Sequence, residues 1–211
     1  MNIPGTAFTR RSATLLLAAL TLSAGAALAA EPAAPKVKFA TSEGDFVVEV
    51  YPDKAPKTVA NFLQYVKDKH YDGTIFHRVI GNFMVQGGGY DNAYAEKKTR
   101  APVVHEGREA LAKGGSKNVV GTLAMARTSD PNSATSQFFI NVNDNARLDF
   151  SSATPQGYGY TVFGKVVSGM DVVTKIAKGA KGAKGAVAPG INPGDVPSPL
   201  VIITSAKVIG G

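Results

Sequence analysis

Hydrophobic and polar positions alternate in two short segments near residue 40. The segments Lys36 to Ala40 and Phe46 to Tyr51 each alternate apolar and polar side chains, and Ser42-Glu43-Gly44 lies between them. A period of two is typical of a strand with one buried face, and a glycine between two such runs favours a tight turn. The sequence therefore predicts an antiparallel β-hairpin at this point.

A helical period follows this hairpin. Apolar residues recur at intervals of three and four between Ala55 and Asp68, which is the spacing of one helix face. Asp53 precedes the run, and its carboxylate is expected to cap the helix. Further along, Ser168-Gly169-Met170-Asp171 resembles a capping box, so we expect a second helix to begin there.

Six more strand-like runs are separated by glycine, proline, asparagine and aspartate. They cover Ile75 to Ile80, Phe83 to Gln86, Val119 to Met125, Gln137 to Asn141, Tyr160 to Val167 and Leu200 to Val208. With the hairpin these runs make eight strands and two helices. The pattern predicts a mainly β fold, a closed eight-stranded antiparallel barrel capped by two α-helices, because closure leaves no free sheet edge.

The first 29 residues have the order of a secretory signal. Arg10 and Arg11 precede an apolar run from Leu15 to Leu22, and small residues from Ala26 to Ala30 follow. We expect a cleavable signal peptide over residues 1–29, cut after Ala29. General secretion is favoured over the twin-arginine route, which stays open, because the arginine pair is not followed by a bulky apolar pair.

The remaining residues, 30–211, are expected to form a single domain in the periplasm. No later segment approaches the ~20 apolar residues of a membrane-spanning helix, so no stable membrane insertion is expected. The chain of 211 residues is 44% hydrophobic and 18% charged, which suits one globular core. A monomer is the expected state.

Charge and cysteine content narrow the class of function. The formal net charge is +7, of which the two leader arginines supply two, and the other basic residues are spread along the chain. This spread argues against a nucleic-acid partner, which requires a basic stripe or face. The chain contains no cysteine, so disulfides, thiolate nucleophiles and cysteine-bound metals are excluded.

Repeated Lys-Gly-Ala triplets occur between Lys178 and Gly190, before a proline-rich stretch that ends at Pro199. Three triplets are too few for a collagen helix. The segment from Lys178 to Ala186 is therefore interpreted as a solvated, flexible loop. A weak acidic partner, or a role in attachment to the cell envelope, remains an alternative for it.

Common catalytic patterns are missing from the sequence. The histidines, His70, His77 and His105, lack the close spacing of a zinc site, so no metal is expected. The glycine run from Gly87 to Gly89 is not followed by a Lys-Ser or Lys-Thr pair, and no serine lies in a Gly-x-Ser-x-Gly turn. Nucleotide binding and serine hydrolysis are therefore disfavoured, and no cofactor is expected.

Three blocks of sequence stand out instead. They are Phe76-His77-Arg78-Val79-Ile80-Gly81-Asn82-Phe83-Met84-Val85-Gln86-Gly87-Gly88, Ser136-Gln137-Phe138-Phe139-Ile140 and Val162-Phe163-Gly164-Lys165-Val166. Their order and spacing resemble the signature of the cyclophilin-type peptidyl-prolyl cis-trans isomerases, and the resemblance runs from Lys36 to Val208. Met125-Ala126-Arg127 and the segment from Asn145 to Asp149 are similar to the bacterial periplasmic branch of that family.

The resemblance implies a set of site residues. It makes Arg78, Phe83 and Gln86 the catalytic positions. It implies that substrate is bound by Met84, Ala124, Met125, Ala126, Gln137, Phe139, Leu148 and Tyr160. Arg147 departs from the family, which has Trp or Phe there, so weak binding of cyclosporin is expected.

Elementary chemistry agrees with these implied roles. Rotation about a peptide bond costs ~18–20 kcal/mol because resonance is lost, and X-Pro bonds populate both isomers. Catalysis then requires an apolar slot for the proline ring and a charged donor that prefers the twisted amide, with no nucleophile. His77 is interpreted as a structural residue because no proton is transferred.

The predicted function is acceleration of the folding of exported, proline-containing polypeptides. The alternative is a chaperone module that binds proline-containing segments without turnover, although such a module could dispense with Arg78. The sequence names no client protein.

Overall fold

The computed structural model describes residues 33–210, together with 1, 2 and 5. The chain divides into two units, Met1–Glu31 and Pro32–Gly211, and the fold described below is that of the second. The predicted leader lies outside the described residues except at those three positions. Among the described residues, no helix has both the length and the apolar character needed to cross a membrane.

Eight strands and three α-helices make up the second unit, in the order β1, β2, α1, β3, β4, α2, β5, β6, β7, α3 and β8. The strands are β1 Lys36–Thr41, β2 Gly44–Val50, β3 Arg78–Ile80, β4 Met84–Gly87, β5 Thr122–Met125, β6 Phe138–Asn141, β7 Val162–Ser168 and β8 Ile203–Gly210. The helices are α1 Pro56–Lys67, α2 Gly107–Ala112 and α3 Met170–Lys178. Short 3-10 helices span Ala146–Leu148 and Pro193–Asp195.

The eight strands form one antiparallel sheet in the order β3-β4-β6-β5-β7-β2-β1-β8. The prediction of a completely closed barrel is wrong. The sheet curls into a half-barrel, and its edge strands β3 and β8 are not paired along their length. Strand β3 is three residues long and does not pair with β8. Hydrogen bonds link the preceding segment to the start of β8 instead, from Phe76 N to Val201 O at 3.0 Å and from Ile203 N to Thr74 O at 2.7 Å.

Aromatic side chains fill the space between the sheet and α1. Phe39 of β1 stacks on Phe46 of β2 with ring centroids 5.0 Å apart. Phe62 of α1 meets Phe138 of β6 edge-on at 6.0 Å, and all four side chains are at most 1% exposed. Alternating strand positions and the apolar helix face are thereby buried together, as the sequence periods predict.

The capping predictions for the two helices are wrong. Asp53 pairs with Lys54 at 2.9 Å, and the first N–H groups of α1 are satisfied from a distant part of the chain. Thr58 N donates to Glu106 Oε2 at 2.7 Å, and Lys57 N donates to Glu106 Oε1 at 3.1 Å. A buried carboxylate between α1 and α2 thus replaces a local cap.

Helix α3 begins without a side-chain cap at Gly169, whose φ of 78° lies in the left-handed region. A Cβ at this position would lie 2.4 Å from Asp45 O. The glycine is therefore required both for its backbone conformation and for the close approach of β2.

The segment from 179 to 199 follows α3 and leads to β8. Its Lys-Gly-Ala part is largely exposed, but Ile191 and Val196 are buried, at 8% and 0% exposure. Gly182 N donates to Val196 O at 2.9 Å, and Asn192 Oδ1 accepts from Gly194 N at 3.1 Å. The proline-rich stretch after the Lys-Gly-Ala triplets is therefore anchored on the protein, and we call residues 189–199 the anchored loop.

Candidate active site

A small apolar cluster lies apart from the main core. Its buried members are Met84 of β4, Ala124 of β5, Phe139 of β6 and Val162 of β7. The partly buried Phe83 and Leu148 pack against them. Four members of the cluster, Phe83, Met84, Phe139 and Leu148, form one wall of a cavity of about 330 Å³ that opens to solvent, and we call this cavity the slot.

Nine of the eleven predicted site residues line the slot. They are Arg78, Phe83, Met84, Gln86, Ala126, Gln137, Phe139, Leu148 and Tyr160. The Tyr160 ring meets the Phe139 ring edge-on, with centroids 5.4 Å apart. Residues more than 80 positions apart in the chain are therefore brought together, as the resemblance implies.

Polar groups form a connected row along one side of the slot. Arg78 and Gln86 are directly paired across β3 and β4, which places both side chains on the same face of the sheet. Arg78 Nη1 donates to Gln86 Oε1 at 3.4 Å, and Gln86 Nε2 donates to Gln137 Oε1 at 3.0 Å. The row orients the Arg78 guanidinium beside the apolar wall.

The anchored loop supplies a further wall that the sequence did not predict. Gly190, Ile191 and Asn192 line the slot. Asp195 Oδ2 lies 3.7 Å from Arg78 Nε, so the guanidinium lies between Gln86 and a carboxylate. No spacing in the sequence links this loop to β3. The only signals that could have pointed to an ordered segment are its prolines and the apolar residues Ile191 and Val196.

Ala124 and Met125 do not line the slot. Ala124 is 0% exposed and Met125 2% exposed, and the Met125 side chain belongs to the main core. Strand β5 lies between β6 and β7, so its backbone is paired on both sides. Their side chains therefore do not reach the slot, and their contact with substrate stays a prediction. The first residues after β5 that line the slot are Ala126, which was predicted, and Arg127, which was not.

His77 lies at the base of the slot beside Tyr90, with ring centroids 4.8 Å apart. The imidazole is 5% exposed. Burial, and secondarily the charge of Arg78, lower the pKa of His77 to about 4. The ring is therefore neutral near pH 7 and adds no charge next to Arg78.

We expect the free energy of unfolding to fall as the pH is lowered from about 6.5 to about 4. Burial lowers the pKa of His77 to about 4 and also lowers the pKa of His70 and His105. In the unfolded chain these histidines bind protons at their ordinary pKa of about 6.5. Their contribution to the free energy of unfolding is therefore complete above that pH, and it is lost as the pH falls from there to the lower pKa of the folded protein. For His77 the loss reaches about 3 kcal/mol at pH 4.

Urea unfolding at about pH 7.5 and at about pH 4.5 measures this dependence. The His77→Gln variant should lose less stability between the two pH values than the unaltered protein. An equal loss in both proteins would contradict the assignment to His77.

Arg147 lies at the outer edge of the slot, in the 3-10 helix Ala146–Leu148. Its guanidinium carbon is 4.6 Å from the centroid of the Phe83 ring, a distance at which a cation is attracted to the ring face. Arg147 itself is exposed. The position thus presents a positive charge above an aromatic residue of the slot.

Comparison with known proteins agrees with this arrangement. The family model of cyclophilin type peptidyl-prolyl cis-trans isomerases matches residues 36–208. The isomerase cyp18 of Streptomyces antibioticus is 52% identical over 176 residues, which are 82% of this chain and 98% of the relative. Isomerase B of Escherichia coli strain K12 is 51% identical over 172 residues, which are again 82% of this chain and 98% of the relative. Isomerase A of Dickeya dadantii is 44% identical over 200 residues, which are 95% of this chain and 98% of the relative.

Solved structures agree on the fold. The cyclophilin type isomerase of Cryptosporidium parvum, crystallised in the presence of the dipeptide Ala-Pro, superposes with a TM-score of 0.62 at 23% identity. The match covers 83% of this chain and 99% of that protein. The relatives at 44–52% identity are peptidyl-prolyl cis-trans isomerases by name. On this evidence the chain belongs to the cyclophilin family and is a peptidyl-prolyl cis-trans isomerase.

Proposed function

We propose that this isomerase acts in the periplasm, as a monomer, on proline-containing segments of polypeptides that fold after export. The proposal is supported by the leader pattern of residues 1–29. The alignment with the Dickeya dadantii isomerase spans 95% of this chain, which is more than residues 30–211 alone would supply. The second unit carries the slot, and none of its described helices has the length and apolar character to span a membrane.

Fractionation of a Gram-negative cell expressing the full chain tests the location. The periplasmic fraction should hold a protein whose mass corresponds to cleavage after Ala29, and a chain that lacks residues 1–29 should remain in the cytoplasm. Recovery of the uncleaved chain from the cytoplasm would refute the proposal. Gel filtration of the mature protein should give the mass of one copy.

The observation that carries the proposed mechanism is the position of Arg78 between the apolar wall and two polar partners. Phe83, Met84, Phe139 and Leu148 grip the proline ring, and Gln86 holds the neighbouring backbone. When the amide twists, its nitrogen regains a lone pair that the Arg78 guanidinium attracts more strongly than it attracts the planar amide. The barrier falls because this donor is already oriented.

NMR exchange measurements on a short Ala-Pro peptide test the proposed mechanism against binding alone. Catalysis should broaden and exchange the cis and trans peaks at substoichiometric enzyme. A module that only holds the peptide would shift the peaks without exchanging them. Because the guanidinium stays charged, the exchange rate should change little between about pH 6 and pH 9.

Cyclosporin inhibition should be weak and should tighten about tenfold or more in the Arg147→Trp variant. The Arg147 head must remain solvated, whereas Trp offers a broad apolar face to the macrocycle. About 100 Å² of added apolar contact corresponds to ~2.5 kcal/mol, which sets the upper end of the effect. Inhibition constants are measured for each variant relative to its own turnover, and nanomolar inhibition of the unaltered protein would contradict this reading.

A further inference from the structure

A second depression of about 550 Å³ adjoins the slot and contains two arginines. Leu148 and Tyr160 line both cavities, so the two are continuous. Arg127 and Arg147 are the charged residues of this second cavity. Its other lining residues are uncharged: Thr128, Ser129, Pro155 and Gln156. We call this depression the cationic shelf.

Neither guanidinium of the shelf has a carboxylate partner in the described part of the chain. Arg127 donates to backbone carbonyls, including Gly159 O at 2.8 Å and Pro155 O at 3.0 Å. Arg147 lies on the Phe83 ring, which offers no negative charge to neutralise it. Arg78 differs from both because it faces Asp195 at 3.7 Å.

The acidic residues that flank Arg147 in the sequence are engaged elsewhere. Asp144 Oδ1 accepts from Val120 N at 3.0 Å. Asp149 Oδ1 accepts from Asn118 N at 2.8 Å and from Asn118 Nδ2 at 2.9 Å. Both carboxylates therefore hydrogen-bond to the segment before β5, and neither forms an ion pair with Arg147.

We propose that the cationic shelf selects substrates that carry Asp or Glu within about three residues of the proline. The proposal rests on the proposed placement of the proline ring in the slot. An extended chain advances ~3.3 Å per residue, so a substrate that runs from the slot over the shared residues Leu148 and Tyr160 reaches the shelf within about three residues of the proline. A carboxylate there gains attraction without displacing an internal acidic partner.

The effect is of moderate size because the shelf is open to water. Exposed ion pairs correspond to a few-fold change in an equilibrium or rate constant. Mobile ions screen such pairs, so the preference should depend on salt. This dependence separates a charge effect from one of shape, since the shape of the shelf does not change with ionic strength.

Ala-Pro peptides that differ only in a flanking Glu, Gln or Lys test the proposal. At about 20 mM salt, kcat/KM should be about three- to fivefold higher for the Glu peptide than for the Gln peptide, and lowest for the Lys peptide. At about 0.5 M salt the three values should converge. Equal values at low salt would overturn the proposal.

Variants assign the preference to one arginine. Arg147→Gln should reduce the Glu-to-Gln ratio towards one, and Arg147→Glu should favour the Lys peptide. The matched control is Arg108→Gln, because Arg108 also lies over an aromatic ring, Phe150 at 5.9 Å, but lines neither cavity. The control should keep the ratio of the unaltered protein, and an unchanged ratio in Arg147→Gln would refute the assignment.

Peptide dissociation constants measured on the same samples separate this proposal from the proposed mechanism. If turnover is absent but the Glu peptide still binds more tightly than the Gln peptide, the mechanism fails and the shelf stands. If turnover is normal and the peptides bind and react alike, the shelf fails and the mechanism stands.

Discussion

Replacing Arg78 with alanine is expected to lower kcat/KM for Ala-Pro peptides by about a hundredfold or more, as the loss of an oriented donor does in other enzymes. Arg78 is the cation that the slot places between Gln86 and Asp195. Its side chain is 44% exposed, so its removal leaves no buried cavity. The melting temperature should therefore change little, and the loss should fall mainly on kcat.

The matched control for this variant is Arg100→Ala. Arg100 also pairs with a carboxylate, Asp68 at 2.9 Å, and is half exposed, but it lies outside the slot. It should retain the turnover of the unaltered protein. Full activity of the Arg78→Ala protein would disprove the proposed mechanism, because no other cation of the slot faces Gln86.

Replacing Phe139 with alanine is expected both to weaken proline binding and to destabilise the protein by ~3 kcal/mol or more. The side chain is 4% exposed, packs with Met84 and Ala124, and lines the slot. Its removal therefore opens a cavity in the apolar cluster and removes part of the wall that grips the ring. Urea unfolding and KM measured well below the unfolding transition report the two losses separately.

Phe138→Ala is the control for stability alone. Phe138 is 0% exposed and points into the main core, on the opposite face of β6. It should lower stability by a similar amount while the folded fraction keeps its KM. If Phe139→Ala does not fold, the milder Phe139→Leu variant can be tested instead, and smaller losses of stability and of proline binding are expected for it. An unchanged melting temperature with abolished activity would show that Phe139 has no structural role.

Much of the fold could be predicted because local signals and tertiary structure agree. The strand-like runs place all eight strands, the helical period places α1, and the Ser168 to Asp171 pattern places the start of α3, whereas the short α2 was not predicted. Closure of the barrel could not be read from these periods, since it depends on the length of β3 and on irregular backbone near Phe76. The cap supplied by Glu106 was missed for the same reason: the residue lies 48 positions from Thr58, and local spacing carries no information about it.

The site divides in a similar way. Residues on strands, such as Arg78, Gln86 and Phe139, follow from the three sequence blocks because strand register fixes which side chains share a face. Ala124 and Met125 differ, because the position of β5 between two other strands, and not its composition, keeps their side chains out of the slot. Asp195 escaped prediction because a loop approaches the slot through anchors that have no periodic pattern.

The pairing of β1 with β8 has a consequence for when the sheet can be completed. Strand β1 begins at Lys36, yet one of its two neighbours is the last strand of the chain, with Val37 opposite Val208. A chain that is still being synthesised lacks this partner, so the sheet cannot be completed until the final residues are available. On the proposed secretion route, the C-terminal strand is also the last to cross the membrane. If the chain is exported as proposed, the pairing of β1 with β8 can be completed at the destination only after β8 has crossed as well.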